Sequence, residues 1–209
     1  MIVKICGITR EDDATIAVSL GATAVGFIFW PGSPRRITLA AAAAISEALP
    51  EDVWKVGVFV DAPPDEIRRA IEEARLTAVQ LHGHETPALA AALRARVIKA
   101  VALEQLERPD ALDEWHGVPI LLDAHDPVRK GGTGRTIDWS HAADIAARRE
   151  VILAGGLRPD NVAEAIGRVR PYGIDVSSGV EASPGRKDRD KLRRLFEALR
   201  RVDFTCREA

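Results

Sequence analysis

The sequence predicts an α/β chain folded as a single-domain (β/α)8 barrel. Three observations lead there. Eight short runs rich in Val, Ile or Leu recur from end to end. Helix-like segments separate them, so the strands must pair in parallel. Eight such units in 209 residues lie near the lower size limit of a closed barrel. A doubly wound sheet is the structural alternative, but it needs a phosphate fingerprint after its first strand. The stretch "CGITRED" is not G-x-G-x-x-G.

The apolar runs are "IVKICGI", "AVGFIFW", "WKVGVFVD", "AVQLHG", "VIKAVAL", "PILLDAH", "VILAGG" and "GIDVSSG". Several end at Gly, Asp or His, as strands do where they run into loops. Among the helical segments, "REDDATIAVSLG" has acids in its first turn and Gly21 as a C-terminal stop. "TLAAAAAISEALP" has Thr38 as N-cap and Pro50 as stop. "PPDEIRRAIEEAR" and "RPDNVAEAIGRVRP" each carry Pro-Asp ahead of Ile or Val at helical spacing. "DRDKLRRLFEALRRV" puts Leu192, Leu195, Phe196 and Leu199 on one face. No linker or composition shift divides residues 1–209; a short polar tail begins at about 203.

Composition narrows the function classes. Hydrophobic residues make up 46% and charged residues 29%, with a formal net charge of -2. A near-neutral balance gives no polyanion-binding surface, so no nucleic-acid partner is expected. No run of about 18 uncharged apolar residues occurs, so no membrane span is expected. The N-terminus carries charge from Lys4 onward and does not read as a signal peptide. The two cysteines, Cys6 and Cys206, make no disulfide framework, and a reducing cytoplasm is expected. The five histidines (82, 84, 116, 125 and 141) are scattered, with no zinc spacing.

In such a barrel the chemistry gathers where strands end and βα loops begin. Strand 1 ends at Cys6-Gly7. Cys6 reads either as a small buried core residue or as a thiol facing the active mouth, there to act as nucleophile or base. Either chemical role needs thiolate, which cationic neighbours favour. Asp123 follows "PILL"; it can cap a loop, or serve as a general acid if a partly apolar site raises its pKa. Arg35 and Arg36 are a solvated basic pair or a fork for a carboxylate. His82 can be an acid–base group, a neutral donor or a packed residue. The loops after strands 7 and 8, "LAGGLRPDN" and "DVSSGVEASPG", bring small residues to adjacent positions. Gly155, Gly156, Ser178 and Gly179 there let backbone N–H groups approach a phosphate.

Taken in order, "KICGIT", "GFIFWPGSPRRI", "VGVFVD", "VQLHG", "LLDA", "GGTGRTIDW", "LAGGLRPDNV" and "DVSSGVEASPGRKD" resemble the phosphoribosylanthranilate isomerases of tryptophan biosynthesis. The resemblance runs from Val3 to about Leu199. It implies an enzyme with no cofactor and no metal, and a small phosphosugar substrate. The reaction it implies is the Amadori rearrangement of an aminoaldose to an aminoketose. By the same resemblance Cys6 is the general base and Asp123 the general acid. Arg35 binds the anthranilate carboxylate, and His82 and Asp175 are further substrate-binding positions. A monomer is expected in preference to a homodimer. Two alternatives share parts of this pattern. A histidine-pathway aminoaldose isomerase would carry an aspartate at the end of strand 1 and a half-barrel repeat. A non-catalytic phosphate-binding barrel would have no use for a thiol and an acid together.

Overall fold

The computed structural model describes residues 1–106, 109–124 and 137–202. The loop after Asp123, with His125, and the tail with Cys206 fall outside the described residues. Eight parallel strands close into a barrel in sequence order. They are β1 (Ile2–Cys6), β2 (Ala24–Ile28), β3 (Trp54–Phe59), β4 (Ala78–Leu81), β5 (Arg96–Ala102), β6 (Ile120–Asp123), β7 (Val151–Leu153) and β8 (Gly173–Val176). Closure comes from β1 pairing with β8, with Lys4 level with Asp175.

Helices return the chain between strands: α1 (Glu11–Leu20), α2 (Leu39–Ala48), α3 (Pro64–Glu73), α4 (Pro87–Ala92), α5 (Trp139–Ala146), α6 (Val162–Val169) and α7 (Arg189–Arg200). The predicted boundaries have physical counterparts. Gly21 ends α1 with φ of 119° and donates to the carbonyls of Ala17 and Val18. Thr38 caps α2, its hydroxyl accepting from the Ala41 N–H. Leu192, Leu195, Phe196 and Leu199 are all buried on α7. Between β5 and β6 the described chain forms 3-10 turns, Leu103–Gln105 and Pro109–Trp115, in place of an α-helix. A small antiparallel pair, β9 (Glu181–Ser183) and β10 (Arg186–Lys187), follows β8.

Strand alternation splits the core in two. Val3, Ile5, Val25, Phe27, Leu122 and Ile174 face the helices. Ala24, Val56, Ala78, Ile98, Leu121 and Ile152 fill the barrel interior. The interior positions nearest the C-terminal mouth fall to polar residues: Lys4 and Cys6 on β1, Gln80 and His82 at β4, Asp123 on β6 and Asp175 on β8. A cavity at the opposite mouth, lined by Trp54, Arg96, His116 and Tyr172 among others, holds none of the predicted site residues. No helix among the described residues is long and apolar enough to cross a membrane.

Candidate active site

β1 sends Lys4 and Cys6 into the barrel, two residues apart on one side of the strand. Lys4 is wholly buried, and its Nζ lies 3.0 Å from Asp175 Oδ1 on the neighbouring strand. Cys6 is 5% exposed and is a free thiol. Across from it in register is Gly26. A Cβ there would lie 2.8 Å from Cys6 Sγ and 3.2 Å from Lys4 Cε, so the absent side chain is what makes room for both groups.

Burial pushes the Cys6 thiol above its ordinary range. Lys4 and Lys187 pull it down and Asp175 pushes it up. The expected cationic neighbourhood therefore exists, but desolvation outweighs it. Lys4 stays firmly protonated. Burial opposes its charge, yet Asp175 and Cys6 more than compensate.

Asp123 ends β6 and is 8% exposed. Its pKa is pushed up to about 7, chiefly by burial and further by the charges of Asp175 and Glu104. The Ala124 N–H, donating to Oδ1 at 2.8 Å, and the Lys4 ammonium work the other way. A carboxyl group in this state holds its proton at neutral pH about half the time, as a general acid must.

Arg35 and Arg36 separate cleanly. Arg36 is exposed, whereas Arg35 turns inward and is buried. Arg35 Nε and Nη2 fork onto Glu181 at 2.9 and 2.7 Å. Glu181 also accepts from Lys187 Nζ at 2.9 Å and from the Gly185 N–H. Two cations thus share one carboxylate. Burial alone would raise the Glu181 pKa, but the two cations hold it below its usual range. Buried Asp13 joins the cluster by accepting from the Lys187 N–H at 2.9 Å. Lys187 Nζ reaches on to the Cys6 carbonyl at 2.6 Å and ties loops 1 and 8 together.

His82 follows β4. Its Nδ1 lies 3.0 Å from Gln80 Nε2. Which of the two donates in this contact follows the ring tautomer. The loop around it is pinned by Glu85, whose carboxylate accepts from the Gly83 and Asp61 N–H groups and from buried Lys99. His84, one loop residue on, is exposed.

Loops 7 and 8 touch through their backbones. A Cβ on Gly179 would sit 1.9 Å from the Leu157 carbonyl oxygen, so only glycine allows the approach. Gly155 and Gly156 have φ of 78° and 64°, a left-handed turn that side chains resist. None of the N–H groups of Gly155, Gly156, Ser178 and Gly179 donates to an acceptor among the described residues. The Ser177 hydroxyl, buried beside loop 1, has no partner either. Among the described residues no three His, Cys, Asp or Glu side chains converge to hold a metal ion.

The structure thus gathers Cys6, His82, Asp123 and Asp175 inside one barrel mouth, with Arg35 and the glycine loops at its rim. Lys4, Gln80, Glu181 and Lys187 were not singled out from sequence. The available signal for Lys4 was its place in an apolar strand two residues before Cys6. Glu181 and Lys187 lie within the "GVEASPGRKD" stretch, but nothing local says that they meet.

The family model for N-(5'-phosphoribosyl)anthranilate (PRA) isomerase matches residues 3–198. A curated relative from Geobacter sp. (strain M21), an N-(5'-phosphoribosyl)anthranilate isomerase, is 48% identical over 200 residues, covering 96% of this chain and 98% of its own. The phosphoribosyl anthranilate isomerase crystal structure from Thermus thermophilus superposes with a TM-score of 0.89 at 47% identity, over 97% of this chain and all of the other. Another isomerase structure, in complex with reduced 1-(o-carboxyphenylamino)-1-deoxyribulose 5-phosphate, gives 0.84 at 43% identity, over 96% of this chain and 99% of the other. A barrel that matches the family model over residues 3–198 and these relatives over nearly all of both chains belongs to the N-(5'-phosphoribosyl)anthranilate isomerase family.

Proposed function

We propose that the barrel converts N-(5-phosphoribosyl)anthranilate to 1-(2-carboxyphenylamino)-1-deoxyribulose 5-phosphate, with Asp123 as general acid and Cys6 as general base. The step belongs to tryptophan biosynthesis. The observation that carries the residue roles is the pairing, inside one mouth, of a carboxyl group titrating at about 7 with a thiol next to an ammonium. Protonated Asp123 gives its proton to the ribose ring oxygen. The C1′–O bond breaks and the anthranilate nitrogen lone pair forms a C1′=N iminium. Cys6 thiolate then takes the C2′ proton. That C–H electron pair becomes the C1′=C2′ bond of an enolamine, and the iminium electrons return to nitrogen. Loss of the O2′ proton and protonation of C1′ give the ketose. Atoms and electrons balance within the substrate, so the isomerisation consumes no co-reactant.

The rest of the site fits a substrate with an anion at each end. The backbone donors of Gly155, Gly156, Ser178 and Gly179 serve the phosphate. Arg35, held at the rim by Glu181, serves the anthranilate carboxylate. His82 and Asp175, both at the mouth, serve as further contacts to the substrate. Gripping both ends fixes the reacting carbons between acid and base, which is where remote binding energy accelerates the chemistry. One chain carries every group in this scheme, so a monomer suffices. A free Cys6 thiol suits a reducing cytoplasm. The test is to follow anthranilate fluorescence when purified protein meets phosphoribosylanthranilate. A trace no different from the enzyme-free control would overturn the assignment.

A further inference from the structure

We propose that Lys4 is a positioning residue of the isomerisation, clamped by Asp175 so that its ammonium lies below Cys6 and balances the charge of the thiolate during C2′ proton transfer. The inference rests on the reading of Cys6 as base. It starts from an oddity of the strand. A lysine with no exposed surface inside a barrel is costly unless its charge is used or paired. One Nζ contact is the 3.0 Å bond to Asp175. The side chain also reaches toward Cys6: its Cε and the Cys6 sulfur lie against the same point above Gly26, 3.2 and 2.8 Å from where a Cβ there would sit.

The surroundings give the two charges opposite effects. The charged groups acting on Cys6 are Lys4 on its own strand, Asp175 on β8 and Lys187 reaching from β10; level with it on β2 is Gly26. Lys187 bonds the Cys6 carbonyl and is already engaged by Glu181. Lys4 is therefore the cation aimed at the sulfur side of the residue. Asp175 anchors Lys4 but, as a negative charge, opposes the thiolate. A structural ion pair alone would leave the thiol indifferent to which partner is removed. A charge balance for Cys6 requires shifts of opposite sign.

The test uses a Cys206→Ser background, leaving Cys6 as the one thiol, and reads its apparent pKa from the pH dependence of iodoacetamide alkylation without substrate. Lys4→Met should raise that pKa by about one unit or more, and Asp175→Asn should lower it. Because Lys4→Met strands a buried carboxylate and can fail to fold, the decisive comparison is Asp175→Asn against Lys4→Met/Asp175→Asn. Both keep the shape of the pair, and the double variant should show the higher Cys6 pKa and at least a ~10-fold lower kcat with KM little changed. Equal alkylation profiles in those two variants, or shifts of the same sign on removing either charge, would overturn the proposal. The alkylation readout does not depend on catalysis. A Cys6→Ser enzyme that retained turnover would instead remove the reading of Cys6 as base and leave the electrostatic result standing.

Discussion

Asp123→Asn should make the protein inactive and, above neutral pH, more stable. The substitution keeps the shape of the side chain and an oxygen to accept the Ala124 N–H. What it removes is a titration. In the unfolded chain an aspartate ionises near 3.8, whereas the folded site holds the proton until about 7. Between those values the folded state binds more protons than the unfolded one, so stability falls as pH rises. The penalty is absent below the unfolded value and complete above the folded one. At ~1.4 kcal/mol per pH unit the gap amounts to about 4 kcal/mol, an upper limit because water and side chains relax around a buried charge. Asparagine escapes it. Urea unfolding of both proteins at pH 4.5 and pH 8 isolates the effect. The advantage of the variant should grow by ~1.5–3 kcal/mol between the two, while kcat drops by ~10²-fold or more. Parallel stability curves for the two proteins would refute the reasoning, since a carboxyl group that costs nothing to ionise is not held as an acid.

The other groups make narrower predictions. Cys6→Ser should fold, bind a product analogue, and lose ~10²-fold or more in kcat, because a hydroxyl is a poor base near neutral pH; retention of more than about a tenth of turnover would exclude Cys6 as base. Arg35→Ala should weaken a carboxylated product analogue while sparing one without the carboxylate, as read by titration calorimetry; equal weakening of both would make Arg35 only the partner of Glu181. Gly156→Val should strain a residue at φ of 64° and block the anion by bulk. Gly179→Ala should part loops 7 and 8, since its methyl group would meet the Leu157 carbonyl. Both changes should cost phosphate affinity ~10-fold or more at unchanged charge, measurable by competition with inorganic phosphate; unchanged affinity would move the phosphate elsewhere.

The local rules of the chain were readable because local physics sets them. Gly21 stops α1 through a left-handed turn, and Thr38 starts α2 with its hydroxyl; neither depends on distant residues. Cys6 and Asp123 were readable as strand ends because a closed parallel barrel leaves few other places for chemistry. The segment between β5 and β6 obeyed no such rule, and its 3-10 turns are held by Leu103, Leu112 and Trp115 packing into the outer core. The buried charges were hidden for a different reason. Lys4 meets Asp175 across 171 positions of sequence, and Arg35 meets Glu181 across 146. A lysine in an apolar run reads as a solvated residue until barrel closure puts β8 beside β1.

That closure also exposes a tension in the site. Desolvation inside the mouth raises the pKa of Asp123 and of Cys6, the proposed acid and base, alike. For Asp123 the rise is useful, since it keeps a proton available at neutral pH. For Cys6 in its proposed role as base it is a handicap, since burial holds the proton on the thiol. The productive pair, protonated Asp123 with ionised Cys6, is then a minor form, and its share grows as the two pKa values approach each other. Deeper burial cannot close that gap, because it moves both groups the same way. A cation placed at the sulfur can. Lys4 acts on both groups: it stands first among the charges acting on Cys6, and behind Asp175 among those acting on Asp123. An ammonium two residues before the thiol, held by Asp175, is the charge placed to favour the thiolate where burial opposes it, which is what the proposed base requires in a shared apolar mouth.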